Sequence, residues 1–180
     1  LIRNLIIKKK TTFTAIFAPE TGEGPFDLSS HYAYMKGYPD GSFRPNGNMT
    51  RAEAAVMFSR LLVSKMDINE NYDCDFTDIK EDDWFKNHIG YMSRIGAING
   101  YPDGTFDPNG SITRAEFAAM ASRFDNLTSG AAATFADLNE THWAYDYISF
   151  AADHGWIAGY EDNTVRPDNY ITRAEVITIT

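Results

Sequence analysis

Internal repetition is the feature that most constrains how this chain folds. Three seventeen-residue segments align without a gap, and the copies lie 63 and 59 residues apart. They are GYPDGSFRPNGNMTRAE (37–53), GYPDGTFDPNGSITRAE (100–116) and GYEDNTVRPDNYITRAE (159–175). Units of this size cannot bury an apolar face alone. The sequence therefore predicts three similar units packed against one another.

The first half of each repeat predicts a helix followed by a turn. Large apolar residues such as Trp84, Tyr91 and Ile95 recur at helical spacing. Asp82 and Thr141 stand just before the repeat tryptophans, where we expect N-caps. Glycines follow both predicted helices, and the Tyr-Pro-Asp-Gly sequence then favours a tight turn.

The second half of each repeat opens with Thr-Arg-Ala-Glu, which has the spacing of a capping box. Thr50, Thr113 and Thr172 would each cap a helix, with a glutamate three residues later reaching back to the cap amide. The residues that follow, such as 54–62 and 117–124, are strongly apolar. The sequence thus predicts mainly helical units of helix-turn-helix type, with short extended segments in the turns.

Charge and apolar content exclude several classes of function. The chain has 180 residues and a net charge of −9, and residues 1–14 are basic while the remainder is strongly acidic. Such a surface repels nucleic acid and anionic lipid. No apolar run reaches the ~20 residues of a transmembrane helix, so no membrane insertion is expected. Cys74 is the one cysteine, so neither an internal disulfide nor a cysteine-based zinc site is predicted.

The residues themselves suggest an anion and sugar site. Three arginines occupy the first position of the predicted second helices, where a guanidinium beside free amide groups favours a carboxylate or phosphate; they are Arg51, Arg114 and Arg173. Trp84 and Trp143 could offer flat surfaces to a sugar ring. The alternatives are that each arginine pairs with an acid of its own turn, such as Asp103 or Asp162, and that the tryptophans pack in a core.

The repeated pattern of Phe-x-Asp, Trp and the seventeen-residue segment resembles the S-layer homology repeat. The resemblance covers residues 76–125 and 135–180, whereas the first copy matches only from Gly37 onward, with Thr21 at the tryptophan position. It implies a pseudo-threefold spindle around a central helical bundle. It also implies a non-catalytic module that anchors an extracellular surface protein to the cell wall by binding secondary cell-wall polysaccharide, commonly pyruvylated.

The resemblance extends the set of expected ligand-binding residues. Family grooves use the motif arginine, the tryptophan, acidic residues and the Gly-Tyr backbone. Carried over to this chain, the expected residues are Arg51, Arg114, Arg173, Trp84, Trp143, Asp78, Asp137, Gly100, Tyr101, Gly159 and Tyr160. No cofactor or metal is expected, and neighbouring surface-layer proteins are additional candidate partners.

Domain boundaries follow from the repeats. Residues 1–18 resemble the closing strand of an internalin B-repeat module, and 19–66 form a first repeat with a degenerate N-terminal half. The second and third repeats occupy 67–126 and 127–180, and the last helix of the third is expected to be cut short.

Three other functions remain as alternatives. Residues 105–116 mimic a calcium-binding loop, but Thr105 replaces the first carboxylate, and arginine occupies the third position in the other copies. The four histidines occupy no equivalent repeat positions, and no nucleophile elbow or phosphate loop is present, so any catalysis is expected elsewhere in the parent protein. A protein–protein scaffold is the third alternative.

Overall fold

The computed structural model describes residues 35–62, 66–67, 70–123 and 132–178. Helices make up its regular structure, as predicted, and within this part of the chain none is long and apolar enough to span a bilayer. They are α1 (Arg51–Leu61), α2 (Lys86–Arg94), α3 (Arg114–Ser122), α4 (Tyr145–Asp153) and α5 (Arg173–Thr178). The predicted strand in 1–18 lies outside the described residues.

The capping boxes that the repeats predicted are confirmed. At α3, the Thr113 hydroxyl accepts the Glu116 amide at 3.1 Å, and the Glu116 carboxylate accepts the Thr113 amide at 2.9 Å. The same reciprocal pair opens α1 and α5. These bonds satisfy amide groups that a helix start otherwise leaves without partners, so all three motif helices begin at the arginine.

The caps predicted for the other two helices are wrong. α2 and α4 begin two residues after Trp84 and Trp143, and neither has a side-chain cap. Thr141 instead donates its amide and hydroxyl to the Asn139 carboxamide, which folds the preceding residues into a local turn. As a result, both tryptophans stand in the turn that leads into the helix.

Turn chemistry fixes the path between the two helices of each repeat. Gly104 and Asn163 adopt positive φ values of 84° and 61°, as their place in the predicted turns requires. Asp107 and Arg166 also have positive φ, which the sequence did not indicate. Their amides are held by Asp78 and Asp137, respectively, at 2.7 Å, so each of these carboxylates fastens the second turn of its own repeat.

The three repeats close into a cycle, which confirms the predicted pseudo-threefold arrangement. Met49 donates its amide to the Ile171 carbonyl at 2.9 Å, Ile171 donates to Ile112 at 3.1 Å, and Ile112 donates to Met49 at 3.0 Å. Below this ring the apolar faces of the motif helices meet, and the Phe58 and Phe117 rings lie 5.1 Å apart. Each unit therefore buries its apolar side against the other two.

Candidate functional site

The motif arginines are buried at the junctions between repeats. Arg114 on α3 is 3% exposed, and its Nε and Nη2 donate to the carbonyls of Val165 and Ala158 in the third repeat, at 2.7 and 2.8 Å. Its Nη1 lies 3.4 Å from the carboxylate of Glu175. Arg114 is thus committed to the neighbouring repeat through three nitrogens.

The same arrangement recurs around the pseudo-threefold axis. Arg51 pairs with Glu116 at 2.8 Å, and Arg173 pairs with Glu53 at 3.1 Å, so the three pairs form a closed ring. The alternative that each arginine pairs with an acid of its own turn is therefore wrong, because each partner carboxylate comes from the capping box of the next repeat. The assignment of these arginines as ligand-binding residues stays a prediction.

The turn tyrosine completes each junction. The Tyr101 hydroxyl donates to Glu116 at 3.2 Å, and the Arg51 guanidinium lies 4.7 Å from the centre of the Tyr101 ring. Burial raises the pKa of Tyr101, so its hydroxyl stays protonated and available as a donor. Tyr38 and Tyr160 make the equivalent contacts.

The two repeat tryptophans face solvent. Trp84 is 62% exposed and Trp143 is 57% exposed, so the alternative of simple core packing is wrong. Among the described residues, their ring contacts are with neighbouring aromatic side chains, such as Phe85 for Trp84 and His142 for Trp143. Large exposed indole rings of this kind are typical of binding surfaces.

Trp143 lines a cavity of about 360 Å³, which we call groove A. It is also lined by one face of α3, by Gly100 and Tyr101 of the turn, and by Arg51. The helix face presents Glu116, Ala119, Met120 and Arg123. Groove A therefore contains residues from all three repeats, and its volume falls within the range of small-ligand sites, which starts at ~300 Å³.

Trp84 lines the equivalent cavity of about 390 Å³, which we call groove B. It is also lined by Gly37 and Tyr38 of the turn, by a face of α1 and by Arg173. The helix face presents Glu53, Val56 and Arg60, and Lys36 is a further lining residue. Gly37 and Tyr38 were not among the predicted site residues, although their repeat equivalence to Gly100 and Tyr101 indicated them.

The remaining predicted site residues lie in other places. Arg114, Gly159 and Tyr160 belong to the third junction around the axis, where the Arg114 guanidinium lies 4.8 Å from the centre of the Tyr160 ring. The residue at the tryptophan position of that junction, Thr21, is outside the described residues. Asp78 and Asp137 line neither groove A nor groove B, and they hold turn amides instead. Their assignment as ligand contacts stays a prediction.

A histidine of α2, His88, contacts α1, the helix that lines groove B. His88 of α2 is hydrogen-bonded through Nδ1 to the Ser59 hydroxyl of α1 at 2.7 Å. Burial, reinforced by the nearby charge of Arg60, lowers the pKa of His88 to about 4. The neutral imidazole is therefore the form that the folded domain accommodates.

This histidine predicts an acid-sensitive contribution to stability. An unfolded histidine titrates near pH 6.5, so between pH 6.5 and 4 the unfolded chain binds the proton more readily. We expect the free energy of unfolding to fall by about 1–3 kcal/mol over that interval because of His88. Urea unfolding at pH 7, 5.5 and 4 should show a smaller decline for His88→Gln. Parallel declines in both proteins would contradict the assignment.

Comparison with known proteins identifies the family. A sequence profile described as the S-layer homology domain matches residues 28–55, 75–118 and 134–177, together more than half of the chain. These segments coincide with the three repeats that build the grooves.

Individual relatives agree with this match. Cell surface glycoprotein 1 of Acetivibrio thermocellus is 39% identical over 160 residues, covering 83% of this chain and 7% of the relative. The cellulosome-anchoring protein of the same organism is 40% identical over 156 residues, covering 83% and 35%. The S-layer protein sap of Bacillus anthracis is 29% identical over 168 residues, covering 91% and 20%. The chain spans only a minor part of these relatives, and it belongs to the S-layer homology domain family.

Proposed function

We propose that this domain anchors a bacterial surface protein non-covalently to the cell wall by binding a secondary cell-wall polysaccharide that carries pyruvylated sugar units. Family membership and relatives named as S-layer, cell-surface and cellulosome-anchoring proteins support an anchoring role at the cell surface and a non-catalytic module. Relatives with enzyme names match this chain over a small part of their length, such as 16% of an exoglucanase. The polysaccharide and its pyruvate groups are the specific part of the proposal.

The observation that carries the proposal is the composition of groove A. An exposed indole, Trp143, lines a cavity that is also lined by Gly100, Tyr101 and the charged side chains of Arg51 and Glu116. Sugar rings stack their C–H faces on aromatic rings, while their hydroxyls bond to polar groups beside them. Groove B repeats this combination with Trp84, Gly37, Tyr38, Arg173 and Glu53.

Charge supports an acidic ligand. Among the described residues, groove A is lined by two arginines and one glutamate, and groove B by three cations and one glutamate. The described lining of both grooves is therefore positive on a chain whose net charge is −9. An acidic polymer would be drawn to these two cavities and repelled by most of the remaining surface.

The test is co-sedimentation of the chain with purified wall sacculi. We expect binding to sacculi that retain the secondary polymer, loss of binding after its chemical removal, and competition by the released polysaccharide. Binding that survives removal of the polymer would contradict the proposal. Binding that requires a wall-associated protein and ignores free polysaccharide would instead support the protein–protein scaffold.

A further inference from the structure

The indole of groove A belongs to a small cluster of rings. The Trp143 ring stacks on the His142 imidazole, with the ring centres 5.9 Å apart and the ring planes 29° apart. The Tyr147 ring of α4 lies 6.3 Å from the same indole. Because Trp143 is 57% exposed, contacts such as these, rather than burial in a core, hold its ring in one orientation.

The turn that contains His142 holds the imidazole in place. The His142 amide donates to the Asn139 carbonyl at 2.8 Å, and the His142 carbonyl accepts the Tyr145 amide at 2.9 Å. On the ring, Nδ1 accepts the Ala144 amide at 3.1 Å. A neutral imidazole that accepts at Nδ1 carries its proton on Nε2, which here lies 3.5 Å from a carboxylate oxygen of Asp168. The imidazole therefore offers a fixed surface to the neighbouring indole.

Groove B supports its tryptophan in a different way. Asp83 occupies the repeat position equivalent to His142, and its carboxylate accepts the Lys80 amide at 2.8 Å. Trp84 meets the Phe85 ring in an edge contact, with the ring centres 5.3 Å apart and the planes at 74°. The residue before the tryptophan thus supports the indole in groove A, and the residue after it does so in groove B.

We propose that His142 is a positioning residue of groove A, whose imidazole holds the exposed Trp143 indole in the orientation that receives a sugar ring. This inference rests on the proposed polysaccharide function and adds a residue that acts through the indole, because His142 is not among the residues that line the cavity. Ordering a mobile side chain at an interface lowers the affinity, and a ring already held in its bound orientation avoids that loss.

The first test is His142→Asn, because the asparagine oxygen accepts the Ala144 amide as Nδ1 does, while the side chain has no ring to stack. Sacculus binding should weaken about three- to ten-fold, since the unsupported indole is ordered only when the sugar binds. The melting temperature should change little, because the turn keeps its hydrogen bond. His154→Asn is the matched control: His154 lies in the same repeat, stacks on Phe150 at 4.0 Å and lines neither groove.

A second variant separates the ring from the hydrogen bond. His142→Phe restores a ring but leaves the Ala144 amide without its acceptor, so it should melt earlier than the parent chain and yet recover most of the binding that His142→Asn loses. Binding and stability therefore move in opposite directions in the two variants. Parent-like binding by His142→Asn would overturn the inference.

A double-mutant cycle shows whether His142 acts through the indole. In a Trp143→Ala background, His142→Asn should cause no further loss of sacculus binding, because the ring that it orients is absent. A purely structural role of His142 would instead weaken binding by the same factor in both backgrounds, and that result would contradict the proposal.

Fluorine NMR measures the order of the indole without a ligand, so failure of this inference is distinguishable from failure of the proposed function. The chain has three tryptophans, and in fluorotryptophan-labelled protein Trp143→Phe identifies the resonance from groove A. Relaxation of that resonance should show a more mobile ring in His142→Asn, while the Trp84 and Trp156 resonances keep their relaxation. An equally ordered Trp143 ring overturns the positioning role, even where sacculus binding by the parent chain stands. If the ring loosens as expected but the parent chain ignores the polymer, the proposed function fails.

Discussion

Arg114→Ala should destabilise the whole domain by about 3–5 kcal/mol, because it removes one partner of a buried ion pair. The variant also leaves the Val165 and Ala158 carbonyls, which accept from Arg114 at 2.7 and 2.8 Å, without their donor. For a domain of this size the melting temperature should fall by roughly 6–20 °C. Thermal unfolding followed by circular dichroism measures the effect directly.

The matched control for this loss is Arg94→Ala. Arg94 also forms an ion pair, with Glu70 at 3.0 Å, but its side chain is 66% exposed. An exposed pair contributes about 0–1 kcal/mol, so this variant should melt close to the parent protein. If Arg114→Ala melts as late as Arg94→Ala, the junction between the second and third repeats does not depend on the arginine.

Local chemistry explains why so much of the fold could be predicted from sequence. A capping box needs only a threonine and a glutamate three residues apart, and Thr113 with Glu116 forms it wherever the helix packs. Positive φ at Gly104 and Asn163 likewise follows from the turn sequence itself. These rules act over a few residues, which is the range that a single repeat displays.

The role of the motif arginine could not be predicted, because its partners are distant in sequence. Arg173 donates to the Phe43 carbonyl and the Glu53 carboxylate, 130 and 120 residues away. Only the closure of three repeats into a cycle brings these groups together. Repeat symmetry shows that the three arginines are equivalent, but it does not show whether they face solvent or the next repeat.

The set of residues that lines each groove also could not be predicted from the pattern within one repeat. Each groove combines a motif arginine, a turn and a tryptophan from three different repeats, so no single repeat contains a site. Arg60 and Arg123 lie outside the seventeen-residue segment, although the offset of 63 residues makes them equivalent. An alignment extended over the apolar helix residues that follow the motif would have identified them, because two charged residues at equivalent positions are unexpected there.

Replacing Trp143 with alanine should weaken sacculus binding by about thirty-fold to a thousand-fold while leaving the fold intact. Tryptophans at the centre of an interface are among the residues whose loss costs 2 kcal/mol or more of binding free energy. The ring is 57% exposed, so its removal should change the melting temperature little. Trp84→Ala should act in the same way through groove B, and a polymer that occupies both grooves at once would amplify either loss.

Tyr170→Ala separates groove binding from a general need for surface aromatic residues. Tyr170 is 56% exposed, almost the same as Trp143, and lines neither groove. It lies at the ring where the three repeats meet, next to Thr113. Normal binding by Tyr170→Ala together with the two tryptophan losses would locate the polysaccharide in the grooves. If Tyr170→Ala loses binding while both tryptophan variants retain it, the polymer contacts the threefold face, and the indole rings are not its platform.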